Sequence, residues 1–332
     1  MQRTTLWRHG TTIERSVDII TKSKHRSVVL ALGGGGARGL AHLGVIESLQ
    51  QMPLKIRRFV GVSIGGLAGA LCAVDQDSER VQGRVVDYLT SEAFLSKQAE
   101  LFSAAPEAEE PSTSGLFAWY HQIRRFLGVR RKLAHLFSKP ALLAEDVMQD
   151  VVDALLPDMD IRDLTVPLSI VALDLYSGRK VVLTEGSLKD AVMASAAIPG
   201  VFPPVRWGSM LLCDVGMMDA IPAKIAKSYA ADVTIAVDVG AQLEPIERCP
   251  TAVDVFLRLG DIGEHVVRDY TRGVADFLIR PDVCATPWYN FSDPKLLIAT
   301  GRQAARDFLW VGDSNSPSDR LGHRLINATG RP

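Results

Sequence analysis

Residues 28–49 read VVLALGGGGARGLAHLGVIESL, which is a short apolar run, four consecutive glycines and a segment with helical periodicity. Glycine is costly to order, so a run of this kind normally serves a need of the backbone. Gly34, Gly36 and Gly39 together spell GxGxxG, a pattern associated with binding of a dinucleotide pyrophosphate. The first question that the sequence raises is therefore what the amides of this loop hold.

A second strand follows the helical segment closely. SVVLAL (27–32) predicts a buried strand, the periodic residues after Leu40 predict a helix, and IRRFVGVS (56–63) predicts the next strand. Strand, helix and strand within about 35 residues form a βαβ unit, so a parallel sheet is expected. A dinucleotide site would need an acidic residue at the end of the second strand, and a Walker loop would need Gly-Lys-Ser/Thr after the glycines. Neither occurs at those positions.

The second strand ends instead in the GxSxG sequence GVSIG, with its serine at Ser63. Such a sequence places a serine on a tight strand-to-helix turn, where small neighbours let the hydroxyl project into a cleft. Taken singly, the serine could equally cap a packed helix, and the glycine run could serve close packing of helix on sheet. Both motifs follow strands of one βαβ unit, however, so both loops lie at one sheet edge. There, glycine amides can stabilise the oxyanion that forms when the serine attacks a carbonyl.

Four sequence blocks carry a resemblance to a known family, namely GGGGARGLAHLGVIESL (33–49), GVSIGG (61–66), ASAAIPGVFPPV (194–205) and LLCDVGMMDAIP (211–222). On these blocks the chain resembles the patatin-like phospholipases. The resemblance implies a three-layer α/β/α fold with a mainly parallel central sheet. It also implies hydrolysis of acyl esters in lipids by a Ser–Asp dyad, without a metal or another cofactor.

The same resemblance implies roles for particular residues. Ser63 is expected to be the nucleophile and Asp214 the proton acceptor. The oxyanion hole is expected at Gly34, Gly35, Gly36, Ala37, Arg38 and Gly39, and further motif glycines are Gly61, Gly65 and Gly216.

Three aspartates end predicted strands, namely Asp174, Asp214 and Asp238, and most aspartates in such places only cap a turn. The family pattern selects Asp214. An ordinary aspartate, with a pKa of about 3.9, is a weak base at neutral pH, so we expect Asp214 to be partly desolvated and its pKa raised. The family usually has glycine at the next position, where this chain has Val215. A β-branched residue resists a positive φ, so either this position has ordinary dihedral angles or the dyad is misplaced.

Other titratable residues near the motifs have less specific interpretations. A Ser–His–Asp triad would need a late histidine, but His265 falls in a predicted helix and His323 in the polar tail, and both are expected to be solvated. His42 is expected to pack on the first helix. Arg38 either attracts a phosphate or pairs with a carbonyl of its own loop, and the structural role is favoured.

The composition is that of an ordinary globular protein. Of the 332 residues 47% are hydrophobic, and the formal net charge of −1 gives no indication of nucleic-acid binding. Four cysteines lie far apart without CxxC spacing, which argues against a disulfide framework or a zinc site and fits a reducing compartment. The N-terminus has no apolar segment typical of a secretory signal, and the apolar stretch at 64–74 is too short to span a bilayer. We therefore expect a soluble, cytoplasmic protein.

We divide the chain into an N-terminal extension (1–26), one α/β acyl hydrolase domain (27–310) and a polar C-terminal tail (311–332). An acidic loop rich in Pro and Ser at 103–115 indicates an insertion or lid over about residues 91–140. Further strands are predicted at 166–174, 180–184, 209–214, 232–240 and 276–283. Further helices are predicted at 141–156, 187–195, 222–230, 251–270 and 293–309.

The predicted insertion contains an amphipathic, basic segment at 121–137. Its apolar helical face and basic remainder suit contact with anionic lipid, so peripheral attachment to the inner face of a membrane is a hypothesis. A solvated surface helix would explain the same pattern. The basic residues are Arg124, Arg125, Arg130, Arg131 and Lys132.

Two rival functions belong to other classes of protein. The first is a regulatory or scaffold protein on the same fold with weak or lost catalysis, against which the presence of both Ser63 and Asp214 argues. The second is a nucleotide-binding α/β protein, which the missing acid after the second strand disfavours.

Overall fold

The computed structural model describes residues 26–102 and 146–310, except residue 247. In these stretches eight strands form one sheet. They are β1 (Arg26–Leu32), β2 (Leu54–Val62), β3 (Leu168–Asp174), β4 (Arg179–Leu183), β5 (Val205–Trp207), β6 (Met210–Cys213), β7 (Val233–Val237) and β8 (Phe277–Ile279).

The helices of the described stretches flank this sheet, and a 3₁₀ turn at Gly36–Leu40 leads into the first of them. No helix in the described ranges has the length and apolar character that crossing a bilayer requires. The helices are α1 (Ala41–Gln50), α2 (Ile64–Val74), α3 (Ser78–Leu89), α4 (Glu92–Phe102), α5 (Asp146–Leu155), α6 (Leu188–Ala196), α7 (Gly216–Asp219), α8 (Ala223–Lys227), α9 (Ala252–Arg272) and α10 (Pro294–Trp310).

The sheet is parallel at its centre and antiparallel at one side. Its order is β5-β6-β3-β2-β1-β7-β8, with β4 paired to β3 off this path. Strands β3, β2, β1, β7 and β8 are parallel, whereas β4, β6 and β5 join by antiparallel pairing. The predicted βαβ unit is confirmed, with Leu32 of β1 opposite Gly61 of β2. The glycine loop and Ser63 therefore leave the sheet at the same edge.

Strand β1 shows why the fold has three layers. Val28, Leu30 and Leu32 belong to the larger core cluster, and the alternate residues Val29 and Ala31 belong to a second cluster on the other face. Successive side chains of a strand point to opposite faces, so β1 is covered on both sides. A continuous apolar run such as SVVLAL is typical of a central parallel strand for this reason.

The structure adds elements that the sequence did not predict. Helix α3 begins after Asp77, whose side chain accepts a hydrogen bond from the Arg80 amide, and it buries Val81, Val85 and Leu89 at intervals of four residues. Strand β5 has only three residues, which is too short for a visible alternation. The helix predicted at 222–230 is shorter, since α8 ends at Lys227.

Several sequence predictions fall outside the described residues. They concern the extension up to residue 25, the tail with His323, residues 103–140 of the predicted insertion and its five basic side chains. At the start of the insertion, from 92 to 102, the structure has helix α4. The cysteines at 72, 213, 249 and 284 are all free.

Candidate active site

Ser63 occupies a strained turn between β2 and α2. Its φ of 55° and ψ of −126° make it the one non-glycine residue of the described stretches with a positive φ. Such a conformation costs about 1–3 kcal/mol and persists where the surrounding structure enforces it. A Cβ on Gly65 would lie 2.2 Å from the Leu32 carbonyl oxygen, and one on Gly61 would lie 2.5 Å from the Gly66 amide nitrogen. The flanking glycines are therefore required by the tightness of this turn.

A second serine, Ser195, stabilises the turn through hydrogen bonds. The Ser63 amide donates a 2.8 Å hydrogen bond to Ser195 Oγ, which itself donates a 2.7 Å bond to the Val171 carbonyl. Ser195 is completely buried on α6. Sequence reasoning did not single out this residue, although it lies within the block 194–205 that carries the family resemblance.

Asp214 follows β6 and faces Ser63. Its carboxylate accepts a 2.6 Å hydrogen bond from the Gly216 amide, and its interaction with the Ser63 hydroxyl favours the ionised form. Burial nevertheless dominates, and it raises the pKa of Asp214 to about 6. Val215, which replaces the usual glycine, has φ −90° and ψ −3°, an ordinary conformation for a branched residue. Of the two alternatives that the sequence left open, the structure therefore has ordinary dihedral angles at position 215.

The glycine loop commits some of its amides to its own structure. Gly34 donates a 2.9 Å hydrogen bond to the Ala220 carbonyl, and Ala37 donates a 2.6 Å bond to the Trp288 carbonyl. The amide N–H groups of Gly35 and Gly36 donate to no backbone carbonyl among the described residues. Of the six residues predicted to form the oxyanion hole, these two present amides that remain available to a ligand.

The other members of that predicted set serve the shape of the loop. A Cβ on Gly39 would lie 2.2 Å from the Ile64 side chain, so this glycine lets the loop pack against α2. Arg38 is buried, and its Nε donates a 3.1 Å hydrogen bond to the Gly35 carbonyl. Burial and the neighbouring Arg268 lower the pKa of Arg38 to about 10, which leaves it charged at neutral pH. Arg38 thus has the structural contact that the sequence analysis favoured.

His42 supports the loop from the first helix. It is fully buried, with Nε2 2.8 Å from the Gly33 carbonyl oxygen. Burial lowers its pKa to about 4, so the ring is neutral at physiological pH. Because a carbonyl only accepts hydrogen bonds, the Nε2 atom carries the proton. His42 therefore pins the backbone immediately before Gly34.

The two other strand-end aspartates have different surroundings. Asp174 accepts hydrogen bonds from Tyr176 and Ser177 and closes the turn that follows β3. Asp238 accepts a 2.5 Å bond from Arg268 and a 2.7 Å bond from Arg272 of α9. Burial opposes its ionisation, but these cations hold the pKa of Asp238 below its ordinary value. Neither aspartate shares a hydrogen bond with Ser63.

His265 is less exposed than the sequence analysis expected. It lies on α9, where its Nε2 is 3.5 Å from the Asp269 carboxylate, and it lines a cavity with Ser63. Among the described residues His265 makes no hydrogen bond to Ser63, and its Nε2 lies beside Asp269, so it forms no Ser–His–Asp arrangement with Ser63.

Two cavities meet at Ser63. The first, about 130 Å³, lies between the glycine loop and α9 and also contains Asp214. The second, about 180 Å³, is almost entirely apolar and runs from Ser63 between α2, α3, α5 and α6, past Leu67, Leu71 and Val85. Ser63 therefore lies where a cleft of mixed polar and apolar lining joins an apolar cavity.

Comparison with known proteins shows which family the chain matches. A family model described as patatin-like phospholipase matches residues 30–227. An uncharacterized NTE family protein of Mycobacterium tuberculosis is 32% identical over 219 residues, which are 66% of this chain and 51% of the relative. Patatin-like phospholipase domain-containing protein 6 of Homo sapiens is 28% identical over 220 residues, which are 66% of this chain and 14% of the relative.

Among solved structures, VipD from Legionella pneumophila has a TM-score of 0.46 at 14% identity, covering 87% of this chain and 67% of that chain. The chain spans about half the length of the mycobacterial relatives that it matches. The family match covers well over half of the chain and includes the glycine loop, Ser63 and Asp214. The chain therefore belongs to the patatin-like phospholipase family.

Proposed function

We propose that the chain is a serine acyl hydrolase that cleaves fatty-acyl esters of phospholipids or lysophospholipids through Ser63 and Asp214. The observation that carries this proposal is that Ser63 and the buried carboxylate of Asp214 line the same cavity. The strained turn and the adjoining apolar cavity support it, because they expose the hydroxyl beside a space suited to hydrocarbon. Family membership supports a lipid ester as the substrate class.

The first half of the reaction forms an acyl-enzyme. The ionised Asp214 takes the hydroxyl proton while Ser63 Oγ bonds to the ester carbonyl carbon, and the carbonyl oxygen becomes an oxyanion. When the tetrahedral species collapses, the bond to the alcohol oxygen breaks and Asp214 returns its proton to that oxygen. The lysophospholipid or glycerophosphodiester product leaves, and the fatty acyl group stays on Ser63.

The second half hydrolyses this ester. A water molecule gives a proton to Asp214 as its oxygen attacks the acyl carbon, and the fatty acid departs as Ser63 recovers its proton. In both halves the oxyanion would accept hydrogen bonds from the amides of Gly35 and Gly36. Each such donor is worth roughly 3 kcal/mol to the transition state.

The apolar cavity is the proposed site for the acyl chain. Leu71 lies seven residues beyond Ile64 on α2, so it is about 10 Å farther along the helix from the turn that holds Ser63. It lines the cavity with Val85 of α3. The side chain at position 71 is therefore placed to limit the length of acyl chain that is accepted.

We expect Ser63→Ala to abolish both labelling by a fluorophosphonate probe and hydrolysis of a p-nitrophenyl ester. The loss of rate should be at least about 10³-fold, since removal of a nucleophile leaves only residual catalysis. Labelled protein can be followed by in-gel fluorescence, and ester hydrolysis by absorbance.

The matched control is Ser228→Ala, which removes an exposed serine whose hydroxyl donates to the Ile225 carbonyl. This variant should be labelled like the wild type. Labelling that persists in Ser63→Ala would refute the nucleophile assignment. A wild-type protein that is neither labelled nor active would instead favour a regulatory or scaffold role.

Leu71→Trp should shift the preference of the enzyme toward short acyl chains. The larger ring fills the far part of the cavity, so we expect kcat/KM for a long-chain ester to fall about tenfold relative to that for a butanoate ester. Leu71→Met, which nearly conserves volume, should leave the ratio unchanged. If Leu71→Trp keeps its fold by circular dichroism and its ratio is unaltered, the acyl chain does not bind in this cavity.

A further inference from the structure

Helix α9 exposes an apolar face to solvent. The exposed positions recur at intervals of three and four residues, so they form a continuous stripe along one side of the helix. We call this set the apolar stripe. Its members, with exposed fractions, are Val255 (43%), Phe256 (75%), Leu259 (57%), Ile262 (37%), Val266 (61%) and Tyr270 (70%).

Three charged residues of the same helix face the protein, whereas Asp269 is exposed. Asp254, Asp261 and Arg268 are buried, and Arg268 is held by ion pairs with Asp238 and with Glu264. A surface helix of a globular protein normally has the opposite arrangement, with its apolar residues toward the core. The polarity of α9 is therefore inverted.

The buried ion pairs fix this inverted orientation. If α9 rotated to bury the apolar stripe, the ion pair between Arg268 and Asp238 would break. Breaking a buried ion pair of this kind costs several kcal/mol. A Cβ on Gly240 would lie 1.5 Å from Arg268 Nη1, so the glycine at position 240 leaves the space that the guanidinium occupies. The outward position of the stripe is thus built into the fold.

The same helix forms a wall of the cavity that contains Ser63. Its inner side contributes Gly260, Glu264 and His265 to that cavity, while its outer side carries the apolar stripe. A layer covering the stripe would therefore lie about one helix diameter, roughly 10 Å, from the cavity. Met218 of α7, which packs against α9, is 63% exposed and extends the apolar surface.

The ends of the stripe suit a lipid headgroup region. Phe256 and Tyr270, the most exposed members, lie toward its two ends, and aromatic rings favour the boundary between water and hydrocarbon. The Lys224 ammonium lies 4.6 Å from the centre of the Tyr270 ring and is exposed, so it can meet anionic phosphate.

We propose that the apolar stripe of α9 docks the protein on a lipid bilayer, with the helix lying in the plane of the membrane surface. This placement rests on the proposed function, because it brings lipid esters to the cavity of Ser63. The hypothesis for residues 121–137 concerns another segment, which lies outside the described residues. There the driving force would be attraction of basic side chains to anionic lipid, whereas at α9 it is insertion of apolar side chains.

The test measures vesicle binding separately from catalysis. The full chain carrying Ser63→Ala, with and without Leu259→Glu and Val266→Glu, is sedimented with vesicles of phosphatidylcholine and phosphatidylglycerol. Two carboxylates on the stripe should weaken binding at least about tenfold, since each must be drawn into the interface. Leu296→Glu, on an exposed leucine of α10, is the matched control and should bind as before.

A second measurement reports contact directly. Phe256→Trp in the Ser63→Ala background should show a blue shift of fluorescence on adding these vesicles, and brominated lipid should quench it. In the wild-type active-site background, the double-glutamate variant should keep its hydrolysis of a short, water-soluble ester. If the wild type does not hydrolyse that ester, the proposed function is contradicted, but the vesicle-binding result still stands.

Other results would overturn docking. They are vesicle binding that is unchanged by the two glutamates, or a dimer of the unsubstituted chain that the glutamates dissociate in the absence of vesicle binding. The second result would assign the stripe to another copy of the chain. Fluorescence of the Phe256→Trp variant that is already blue-shifted in buffer and unaffected by lipid would assign the stripe to a segment of the same chain.

Discussion

Asp214→Asn should abolish hydrolysis and at the same time stabilise the fold at neutral pH. The amide cannot take the Ser63 proton, so we expect kcat to fall at least about 10³-fold. Burial raises the pKa of Asp214 from 3.8 to about 6, so the ionised carboxylate destabilises the folded state at neutral pH. Removing this charge should increase the free energy of unfolding by about 2–3 kcal/mol.

The pH dependence of both quantities follows from the raised pKa. The folded protein holds the Asp214 proton more tightly than the unfolded chain, so this group makes stability fall as pH rises from about 4 to about 6. Activity should rise over the upper part of the same range, as the carboxylate ionises. Denaturant unfolding at several pH values and the pH profile of kcat/KM for a soluble ester measure the two effects. The stability gain of Asp214→Asn should shrink as pH falls from about 6 to about 4 and should be absent below that.

Asp174→Asn is the matched control, because Asp174 also ends a strand but has the opposite shift. Hydrogen bonds from Ser177, Leu211 and Tyr176 outweigh burial and lower the pKa of Asp174. Neutralising this carboxylate should therefore lower stability and leave ester hydrolysis unchanged. If Asp214→Asn keeps its activity, or is less stable than the wild type at pH 8, Asp214 is not the desolvated base proposed here.

The fold around the site could be predicted because its signals are local. The apolar run of β1, the glycines and the periodic residues of α1 each leave a pattern within about ten residues, and the bounds of β1 and β2 agree with prediction within a few positions. The tight turn at Ser63 could also be predicted from neighbouring residues, namely Gly61 and Gly65. Asp214, which lies 151 positions after Ser63 in the sequence, was selected by family resemblance.

Long-range contacts could not be predicted in this way. Which amides of the glycine loop remain available depends on Ala220 and Trp288, carbonyl partners far away in the sequence. Ser195 gave no signal of its own, because a serine within a helix has many ordinary roles. The pattern of residues 251–270 predicted a helix, but only the ion pair between Arg268 and Asp238 shows which side of α9 faces inward.

Gly36→Ala should distort the glycine loop and lower activity. Gly36 has a φ of 59°, and a Cβ there would lie 2.2 Å from the Trp288 carbonyl oxygen. That oxygen accepts the Ala37 amide at 2.6 Å, so the clash would displace this hydrogen bond and reorient the Gly35 and Gly36 amides. We expect kcat for a soluble ester to fall about 10²–10³-fold with a much smaller change in KM, since the loss is confined to the transition state.

The strain of a positive φ must be separated from the clash, and Gly178 allows this. Gly178 has a φ of 67°, yet a Cβ there would have no atom within 4 Å. Gly178→Ala should therefore cost about 1–2 kcal/mol of stability and leave kcat unchanged. Gly36→Ala should cost more stability than this and, unlike Gly178→Ala, lose activity in assays well below its unfolding temperature. Equal kcat values for the two variants would mean that the loop amides do not hold the oxyanion, since only Gly36 is pressed against their support.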